Sequence, residues 1–327
     1  MLHFLETNSN DPHYNLAFEE FVLLNRTKGD YLLLWQNDNA VIIGRHQNAE
    51  EEINRAFVEN KGISVVRRTT GGGAVYHDMG NLNYSFITDV EDAEKLTMQK
   101  FTEPIIKALA QMGITAECSG RNDITIDGKK ISGNAQRIHR GRILHHGTLL
   151  FNSDPQIISG ALNVDPTKFV SKSAKSVRSR VANISDFLPE KTTLSQFKEQ
   201  LIKSLGENEM VSEQLSLAEL DEVKRLCDEK YSTWQWNFGS SPKYDRANKK
   251  RFSGGAIDIR LSVSEGVITA AAFFGDFMAR KEAAEIADAI VGCRFDRAEI
   301  GLILDKFDLL DYFGSITKQE ILEVMFY

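Results

Sequence analysis

Three consecutive glycines, Gly71-Gly72-Gly73, interrupt a series of short apolar runs and constrain the fold more than any other feature. Glycine loses more conformational entropy on folding than other residues, so a run of three between strands needs a physical reason. One reason is close approach of backbone N–H groups to an anionic ligand, with Arg67 and Arg68 adding charge-assisted hydrogen bonds. The other is a glycine bulge in a barrel-like sheet, with the two arginines at its surface.

The glycine run matches neither common nucleotide-binding loop. The sequence has no GxxxxGK[ST] pattern, which excludes a P-loop. In the spacing of a dinucleotide fingerprint, the sixth position is Tyr76 instead of glycine or alanine. Any use of ATP must therefore follow another architecture.

The short runs around the glycines predict an α+β fold with a mixed sheet. Strand-like runs occupy residues 31–35, 41–44, 63–68, 74–77, 82–87 and 143–151. The first two, joined by residues 36–39, predict a hairpin, and Asp127-Gly128 predicts another between 123–126 and 129–132. Helices are predicted at 12–24, 50–60 and 94–112. The dominance of hairpins argues against a doubly wound parallel sheet.

Two domains are expected, because 327 residues exceed what one compact core usually holds. Residues 194–230 have a helical pattern, and residues 245–251 form a polar, charged joint. The predicted boundary therefore divides the chain into residues 1–246 and 247–327. The second part has strand-like runs at 255–263 and 267–274 and helical patterns at 281–291 and 297–307, which indicates a small α/β accessory domain.

Composition limits the partners and the compartment. A net charge of −7 without a long basic run argues against a general nucleic-acid-binding protein. Three dispersed cysteines without a CxxC pair are typical of a reducing compartment. The first ten residues lack the features of a signal peptide, and the apolar runs are shorter than the ~20 residues that span a bilayer. A cytoplasmic protein that binds neither nucleic acid nor membrane is expected.

A second cluster of candidate site residues surrounds Asp127-Gly128. Side chains alternate along a hairpin, so Lys129 and Lys130 should point to opposite faces. A lysine turned inward beside Ser132-Gly133-Asn134 is suited to hold a phosphate and a carbonyl oxygen on which charge develops. The alternative is a polar hairpin tip with both lysines in solvent.

Two further clusters follow along the chain. His145 and His146 are adjacent, but no suitably spaced third ligand indicates zinc, so orientation of a loop or ligand is favoured. Residues 172–183 are basic and serine-rich. They would form either a solvated loop or a mobile lid that closes over a charged intermediate.

In this order, the clusters resemble the motifs of the lipoate-protein ligase family. The matching segments are 67–78, 120–123, 130–134, 146–148 and 176–183, supported by 15–20, 43–48, 234–239 and the small C-terminal domain. The resemblance covers essentially the whole chain. It implies a biotin/lipoate ligase-type catalytic domain followed by an accessory domain.

The resemblance also implies the reaction and its partners. Members of the family join lipoate to ATP, release pyrophosphate and keep lipoyl-AMP bound. They then pass the acyl group to a lysine of a lipoyl domain in a 2-oxoacid dehydrogenase E2 subunit, or of the glycine-cleavage H protein. Octanoate is expected as a weaker substrate, Mg²⁺ as a cofactor, and a monomer as the working form.

Site residues carry over from the family position by position. Lys130 would be catalytic and contact both the nucleotide and the lipoyl carboxyl end, and Asp123 is a candidate Mg²⁺ ligand. The expected nucleotide contacts are Arg68, Gly73, Ala74, Val75, Tyr76, Arg178 and Arg180. The expected lipoate contacts are Arg67, Gly72, His77, Asn83 and His146.

Three alternative functions remain to be compared. An acyltransferase that works through a cysteine thioester needs a thiol near the acyl pocket. Cys118, Cys227 and Cys293 lie outside the motifs, and Cys118 and Cys293 are expected to be buried. A biotin ligase has a different glycine-arginine loop. A noncatalytic lipoate-binding or acyl-adenylate-binding protein would be expected to lack the motif charges, which are present here.

The acceptor protein is expected to dock on a local cationic segment. Arg137, His139, Arg140 and Arg142 form such a segment in an otherwise acidic chain, and the family's acceptor domains are typically acidic around their lysine. The alternative is a solvated hairpin.

Overall fold

A computed structural model of the chain describes residues 1–90, 97–120, 122–163, 181–206, 209–238 and 246–326. In this part of the chain, no helix is both long and apolar enough to cross a membrane. Its helices and strands form two units, each with its own apolar core.

The larger unit is built on a mixed eight-stranded sheet. Its strands are β1 (Leu2–Glu6), β2 (Asp30–Trp35), β6 (Asn81–Asp89), β7 (Glu117–Ser119), β8 (Asp123–Ile126), β9 (Lys129–His139), β10 (Arg142–Leu150) and β11 (Met210–Ser212). They lie in the order β11-β1-β2-β6-β10-β9-β8-β7. β1 pairs in parallel with β2 and β11, whereas the other neighbours are antiparallel. The predicted mixed sheet is therefore confirmed.

A second, three-stranded sheet carries the glycine run. It consists of β3 (Ala40–Ile43), β4 (Ser64–Arg67) and β5 (Val75–His77), with β3 in the centre. The hairpin predicted for residues 31–35 and 41–44 is wrong, because β2 and β3 belong to different sheets. Between them, Asn37 Oδ1 accepts a hydrogen bond from Asn15 Nδ2 at 2.9 Å.

Helices pack against both sheets of the larger unit. They are α1 (Pro12–Asn25), α2 (Ala49–Glu52), α3 (Arg55–Asn60), α4 (Met98–Gln111), α5 (Pro155–Ala161), α6 (Leu194–Leu205), α7 (Leu217–Leu226) and α8 (Trp234–Asn237), with a π-helical turn at Cys227–Tyr231. The helix predicted at 50–60 is divided, because Asn54 caps α3 by accepting the Phe57 N–H at 3.2 Å. Thr97 caps α4, and residues 94–96 of the helix predicted at 94–112 lie outside the described residues.

The helix α1 packs against one face of the large sheet and positions the site. Asp11 caps it by accepting the His13 N–H at 2.9 Å, and Pro12 occupies its first turn, as the sequence indicates. Ten of its fourteen residues are buried, including Glu19 and Glu20. A helix buried on nearly every side belongs to the core, so its two carboxylates need partners inside the protein.

The smaller unit contains β12 (Arg246–Phe252), β13 (Gly255–Ser264) and β14 (Val267–Gly275) in one antiparallel sheet. Four helices cover it: α9 (Ala284–Ile290), α10 (Arg297–Leu304), α11 (Leu309–Phe313) and α12 (Lys318–Phe326). The predicted polar joint at 245–251 is a strand from Arg246 onward, because its charged residues lie on a sheet edge where solvent covers them. The domain boundary at 246/247 falls at the start of this strand and stays a prediction.

The smaller unit rests on the loop after β3 and on the glycine run. The Gly275 N–H donates to His46 O at 2.6 Å, and the His46 ring stacks on Phe277 with centroids 4.9 Å apart. Arg45 pairs with Glu282 at 2.8 Å. A side chain at Gly71 would meet Phe277 O at 2.5 Å, so glycine is required for this contact.

Candidate functional site

A pocket of about 580 Å³, counted to its open mouth, lies between the two sheets of the larger unit. Its apolar lining comes from Leu16, Trp35, Ile42, Ala74, Val75 and Ala135. Its polar lining comes from Arg68, His77, Asn83, Asn122, Lys130, Asn134, His146 and Thr148, and four glycines complete it: Gly72, Gly73, Gly133 and Gly147. Such a pocket suits a ligand with an apolar part and an anionic part.

The structure brings most of the predicted site residues into this one pocket. Those that line it are Arg68, Gly72, Gly73, Ala74, Val75, His77, Asn83, Lys130 and His146. Predicted Arg178 and Arg180 lie outside the described residues, as does the rest of the basic segment up to residue 180. The chain re-enters the described part at Val181, which forms a bridge with Lys130.

Lys130 lies on the predicted hairpin between β8 and β9. Asp127 and Gly128 form its turn with φ values of 50° and 72°, which the Asp-Gly pair tolerates. Lys129 is exposed, whereas Lys130 lines the pocket and pairs with Asp123 at 2.8 Å. The alternation along the strand was therefore predicted correctly, and the alternative with both lysines in solvent is wrong.

Arg68 holds the glycine run in shape. Its Nη2 donates to Gly71 O at 2.6 Å and to Gly73 O at 2.8 Å, and its Nη1 donates to Ile42 O at 3.1 Å. Burial lowers the pKa of Arg68 to about 10, so the guanidinium remains charged at neutral pH. Because Arg68 binds the loop's carbonyl oxygens, the loop's N–H groups are the polar groups left for an anionic ligand.

Glycine is required where this loop is tightest. Gly72 has φ +87°, and a Cβ there would lie 3.0 Å from Arg68 Nη2. A Cβ on Gly44, in the neighbouring loop, would lie 2.0 Å from Gly72 O. The loop is thus a tight irregularity beside the small sheet, and Arg67 and Arg68 are buried beneath it instead of lying at its surface.

His77 and Asn83 present polar atoms that lack partners in the described part of the protein. Asn37 Nδ2 lies 3.1 Å from His77 Nδ1, and the bond from Asn15 to Asn37 Oδ1 fixes this amide's orientation. His77 therefore carries its proton on Nε2, and burial lowers its pKa to about 3. His77 Nε2 and Asn83 Nδ2 are buried without a hydrogen-bond partner. Both are donors, so a carbonyl or carboxylate oxygen would satisfy them.

Two predicted contacts, Arg67 and Tyr76, do not line the pocket. Successive residues on a strand face opposite sides, so Arg67 points away from Arg68. Its Nη1 donates to Gln47 O at 2.6 Å, and its Nη2 donates to Asn237 O at 2.9 Å, which joins β4 to α8. Tyr76 packs on the outer face of the small sheet and donates to Asn39 Oδ1 at 3.0 Å.

Sequence reasoning missed several residues that line or support the site. Asn122, Asn134, Thr148 and Trp35 line the pocket without a role having been assigned to them. Glu19 supports it from α1: its carboxylate lies 2.9 Å from His146 Nδ1. The sequence signals for Glu19 were its position beside Glu20 in a largely apolar helix and in the matching segment 15–20.

The described residues contain no group of three His, Cys, Asp or Glu that could hold a metal ion, so they give the zinc reading of His145 and His146 no support. Instead, the His145 ring stacks on Phe101 with centroids 5.0 Å apart. Mg²⁺ is usually held by one or two carboxylates together with substrate phosphates and water. Asp123, half-buried beside Lys130, fits such a shared site.

The cysteines and the docking arginines also differ from expectation. Cys118 is exposed, contrary to its predicted burial, while Cys293 is half-buried; neither they nor Cys227 line the pocket described here. The docking arginines are already engaged inside the protein. Arg137 pairs with buried Glu20 at 2.8 Å, and buried Arg142 donates to Gly29 O at 2.7 Å. Arg137 and Arg142 therefore have part of their charge compensated inside the protein, whereas Arg140 is exposed and His139 half-buried, and docking on this segment stays a prediction.

The fold and the pocket define a two-unit α/β protein whose pocket suits a ligand with an apolar part and an anionic part. Two family models match the chain: the lipoyl protein ligase A/B catalytic domain over residues 11–206, and the bacterial lipoate protein ligase C-terminus over residues 241–325. Lipoate-protein ligase LplJ of Bacillus subtilis is 44% identical over 331 residues, and the match covers 100% of both chains.

Solved structures agree with this match. P. falciparum LipL1 in complex with lipoate is 25% identical, with a TM-score of 0.79 and 94% of each chain covered. A bipartite ligase from Thermoplasma acidophilum, in a structural study with its E2 lipoyl domain, is 34% identical (TM-score 0.65; 75% of this chain and 98% of that one). A lipoate-protein ligase A bound with ATP is 30% identical (TM-score 0.63; 73% and 98%).

The chain therefore belongs to the lipoate-protein ligase family. The family resemblance and the fold class predicted from the sequence are confirmed. The predicted enzyme class, an ATP-dependent ligase that attaches lipoate to protein, is confirmed as well.

Proposed function

We propose that the pocket activates lipoate with ATP, retains lipoyl-AMP and passes the acyl group to a lysine of an acceptor protein. The observation that carries this proposal is the position of Lys130 and of the Arg68-shaped glycine loop in one pocket with an apolar wall. This arrangement accommodates an apolar acyl chain and two anionic groups, a carboxylate and an α-phosphate.

The first step joins the two anionic groups. A lipoate carboxylate oxygen attacks the α-phosphorus, the bond to the β-phosphate oxygen breaks, and pyrophosphate leaves with that electron pair. Lys130 and the loop N–H groups offset the negative charge that would otherwise keep the reactants apart. Asp123, together with phosphate oxygens, would hold Mg²⁺, which supplies further charge compensation at the phosphates.

The second step needs no nucleophile from this chain. The neutral amine of the acceptor lysine attacks the acyl carbon, the bond to the AMP oxygen breaks, AMP leaves with that electron pair, and the amine loses a proton to solvent. The Lys130 side chain stabilises the negative charge that develops on the carbonyl oxygen. The absence of a cysteine from the described pocket lining favours this route over a thioester.

The residues predicted for the site have the following proposed roles. Arg68, Gly73, Ala74 and Val75 form the nucleotide side, with Lys130 between the nucleotide and the acyl carbonyl. Gly72, His77, Asn83 and His146 form the lipoyl side. Arg67 and Tyr76 act through the loop and the small sheet that they support, and Arg178 and Arg180 remain predicted nucleotide contacts.

The proposed acceptor is a lipoyl domain of a 2-oxoacid dehydrogenase E2 subunit or the glycine-cleavage H protein. The Thermoplasma acidophilum lipoylation system, in which the ligase is paired with an E2 lipoyl domain, supports the first choice. We further propose a monomeric enzyme working in the cytoplasm.

Lipoate-dependent exchange of labelled pyrophosphate into ATP tests the first step, because it requires reversible formation of an acyl-adenylate. Transfer is then tested with an isolated lipoyl domain and with its acceptor-lysine-to-arginine variant as control. Exchange with lipoate and modification of only the native acceptor support the proposal. Lipoyl transfer from a thioester without ATP, in the absence of exchange, would overturn it.

A further inference from the structure

Glu19 is a buried carboxylate connected to both the nucleotide side and the apolar wall of the pocket. Only 2% of it is exposed. Its oxygens lie 2.9 Å and 3.1 Å from His146 Nδ1, and it accepts the Ser85 hydroxyl at 2.5 Å. A carboxylate this deeply buried is retained only where donors compensate its lost hydration.

The bonds beyond His146 have one consistent direction. Arg68 Nε, which can only donate, lies 3.0 Å from Thr70 Oγ1. Thr70 Oγ1 therefore accepts from Arg68, and it lies 2.8 Å from His146 Nε2. Because the Glu19 carboxylate can only accept, His146 Nδ1 carries the proton and donates to it, and the Thr70 hydroxyl donates to the unprotonated Nε2.

The chain of bonds ends at the loop that faces the ligand, because Arg68 holds the carbonyls of Gly71 and Gly73. Glu19 also supplies the negative charge that acts on Arg68 against the effect of burial. A single anion therefore both orients the guanidinium, through two intermediate side chains, and compensates its charge.

A second arm runs from Glu19 to the apolar wall. Ser85 donates to Glu19, and the Ser85 oxygen accepts the Trp35 Nε1–H at 2.9 Å. Trp35 lines the pocket. Its indole ring can therefore not rotate freely while this bond is kept.

We propose that Glu19 is a positioning residue that fixes the His146 tautomer, the Arg68-shaped loop and the Trp35 ring for adenylation. The inference rests on the proposed function, since it assigns Arg68 to the nucleotide side and Trp35 to the acyl side. Glu19 does not line the pocket, so it acts through these three side chains rather than on the substrates.

The adjacent Glu20 is a natural control. It is equally buried on the same helix, but its partners are Lys230 Nζ at 2.6 Å, Arg137 Nη1 at 2.8 Å and Tyr231 OH at 2.9 Å. Burial raises the pKa of Glu20, but the two cations outweigh this effect and leave the pKa below its ordinary value. None of these partners lines the pocket, so Glu20 represents a carboxylate that serves the fold alone.

The test measures lipoate-dependent ATP–pyrophosphate exchange in the full-length protein. Glu19→Gln should lower kcat/KM about 10- to 100-fold, the range reported for loss of a supporting partner or a charged hydrogen bond. Glu20→Gln should lower Tm yet leave kcat/KM within about twofold. A loss of stability away from the pocket does not change the site in the molecules that remain folded. Glu19→Asp, which keeps the charge, should recover part of the loss.

The two arms give readouts that a purely structural carboxylate would not produce. Thr70→Val should raise the KM for ATP through Arg68 and also disturb His146 on the lipoyl side. Ser85→Ala should raise the KM for lipoate through Trp35 and leave the KM for ATP unchanged. Combining Glu19→Gln with Thr70→Val should cost little more than the larger single loss, since both break one chain. The ¹⁵N shifts of His146 should show the proton on Nδ1 in the wild type and a changed tautomer population in Glu19→Gln.

Wild-type kinetics and an unchanged His146 tautomer in Glu19→Gln would overturn the inference while leaving the proposed function intact. If that variant does not fold, Thr70→Val decides the matter, and an unchanged KM for ATP overturns the inference. No exchange in the wild-type protein would instead overturn the proposed function, and this inference with it.

Discussion

Replacing Lys130 by alanine should separate catalysis from stability. The Lys130 side chain is 34% exposed, as is its partner Asp123 at 2.8 Å. A partly exposed ion pair contributes about 1 kcal/mol or less, because water already solvates both charges. Loss of a preorganised donor at a developing negative charge costs far more, about 3–4 kcal/mol, or 10²- to 10³-fold in rate.

The assay follows both half-reactions and the folding free energy. Lys130→Ala should reduce lipoate-dependent exchange, and transfer from synthetic lipoyl-AMP to a lipoyl domain, by at least ~10²-fold each. Urea denaturation should shift by about 1 kcal/mol or less. Lys129→Ala is the matched control, because Lys129 is its neighbour on the hairpin but is exposed. Near-normal transfer by Lys130→Ala would refute the reasoning.

Three other outcomes are expected. Octanoate should support exchange with a higher KM than lipoate, because an apolar wall gives about 0.8 kcal/mol per buried methylene and discriminates weakly between tails; no reaction at saturating octanoate would contradict this. Burial lowers the pKa of His46 to about 4 and those of His77 and His145 to about 3. Below pH ~6.5 the unfolded chain therefore binds more protons than the folded protein, and each histidine should lower the free energy of unfolding by about 2 kcal/mol between pH 7 and pH 5. In urea denaturation, His145→Gln should show a smaller drop over this range. A free energy of unfolding that does not change with pH would contradict this prediction. Gly72→Ala should impair exchange, because its Cβ would lie 3.0 Å from Arg68 Nη2. Gly62→Ala, also at positive φ but with no atom within 4 Å of the added Cβ, should only lose stability. Equal exchange rates in the two variants would count against the loop's role.

Local rules predicted the parts of the site that depend on neighbouring residues. The Asp127-Gly128 turn and strand alternation predicted that Lys129 and Lys130 face opposite sides, and the family resemblance identified Lys130 as the one in the pocket. The entropic cost of three glycines correctly marked the loop that Arg68 shapes. These features follow from short-range geometry, which a single sequence contains.

Features that depend on long-range pairing could not be predicted in the same way. β2 and β3 read as a hairpin from residues 31–44, but which sheet each strand joins depends on partners far along the chain. The strand β1 was missed for the same reason, since its partners are β2 and β11.

The partners of charged residues could not be predicted from the sequence either. The sequence gives no reason to distinguish Arg67 from its neighbour Arg68. In the structure, Arg67 binds carbonyl oxygens behind the small sheet, whereas Arg68 binds the glycine loop. Arg137 and Arg142 looked available for docking but pair with Glu20 and Asp89. Formal charge does not reveal whether a buried partner already compensates it.

Mass spectrometry of the protein incubated with lipoate and ATP, without an acceptor, tests the central claim most directly. The account predicts one lipoyl-AMP per protein under native conditions, and an unmodified protein mass after denaturation, because the adenylate is held without a covalent bond to the chain. A lipoyl adduct that survives denaturation on Cys118, Cys227 or Cys293, with no adenylate formed, would contradict it.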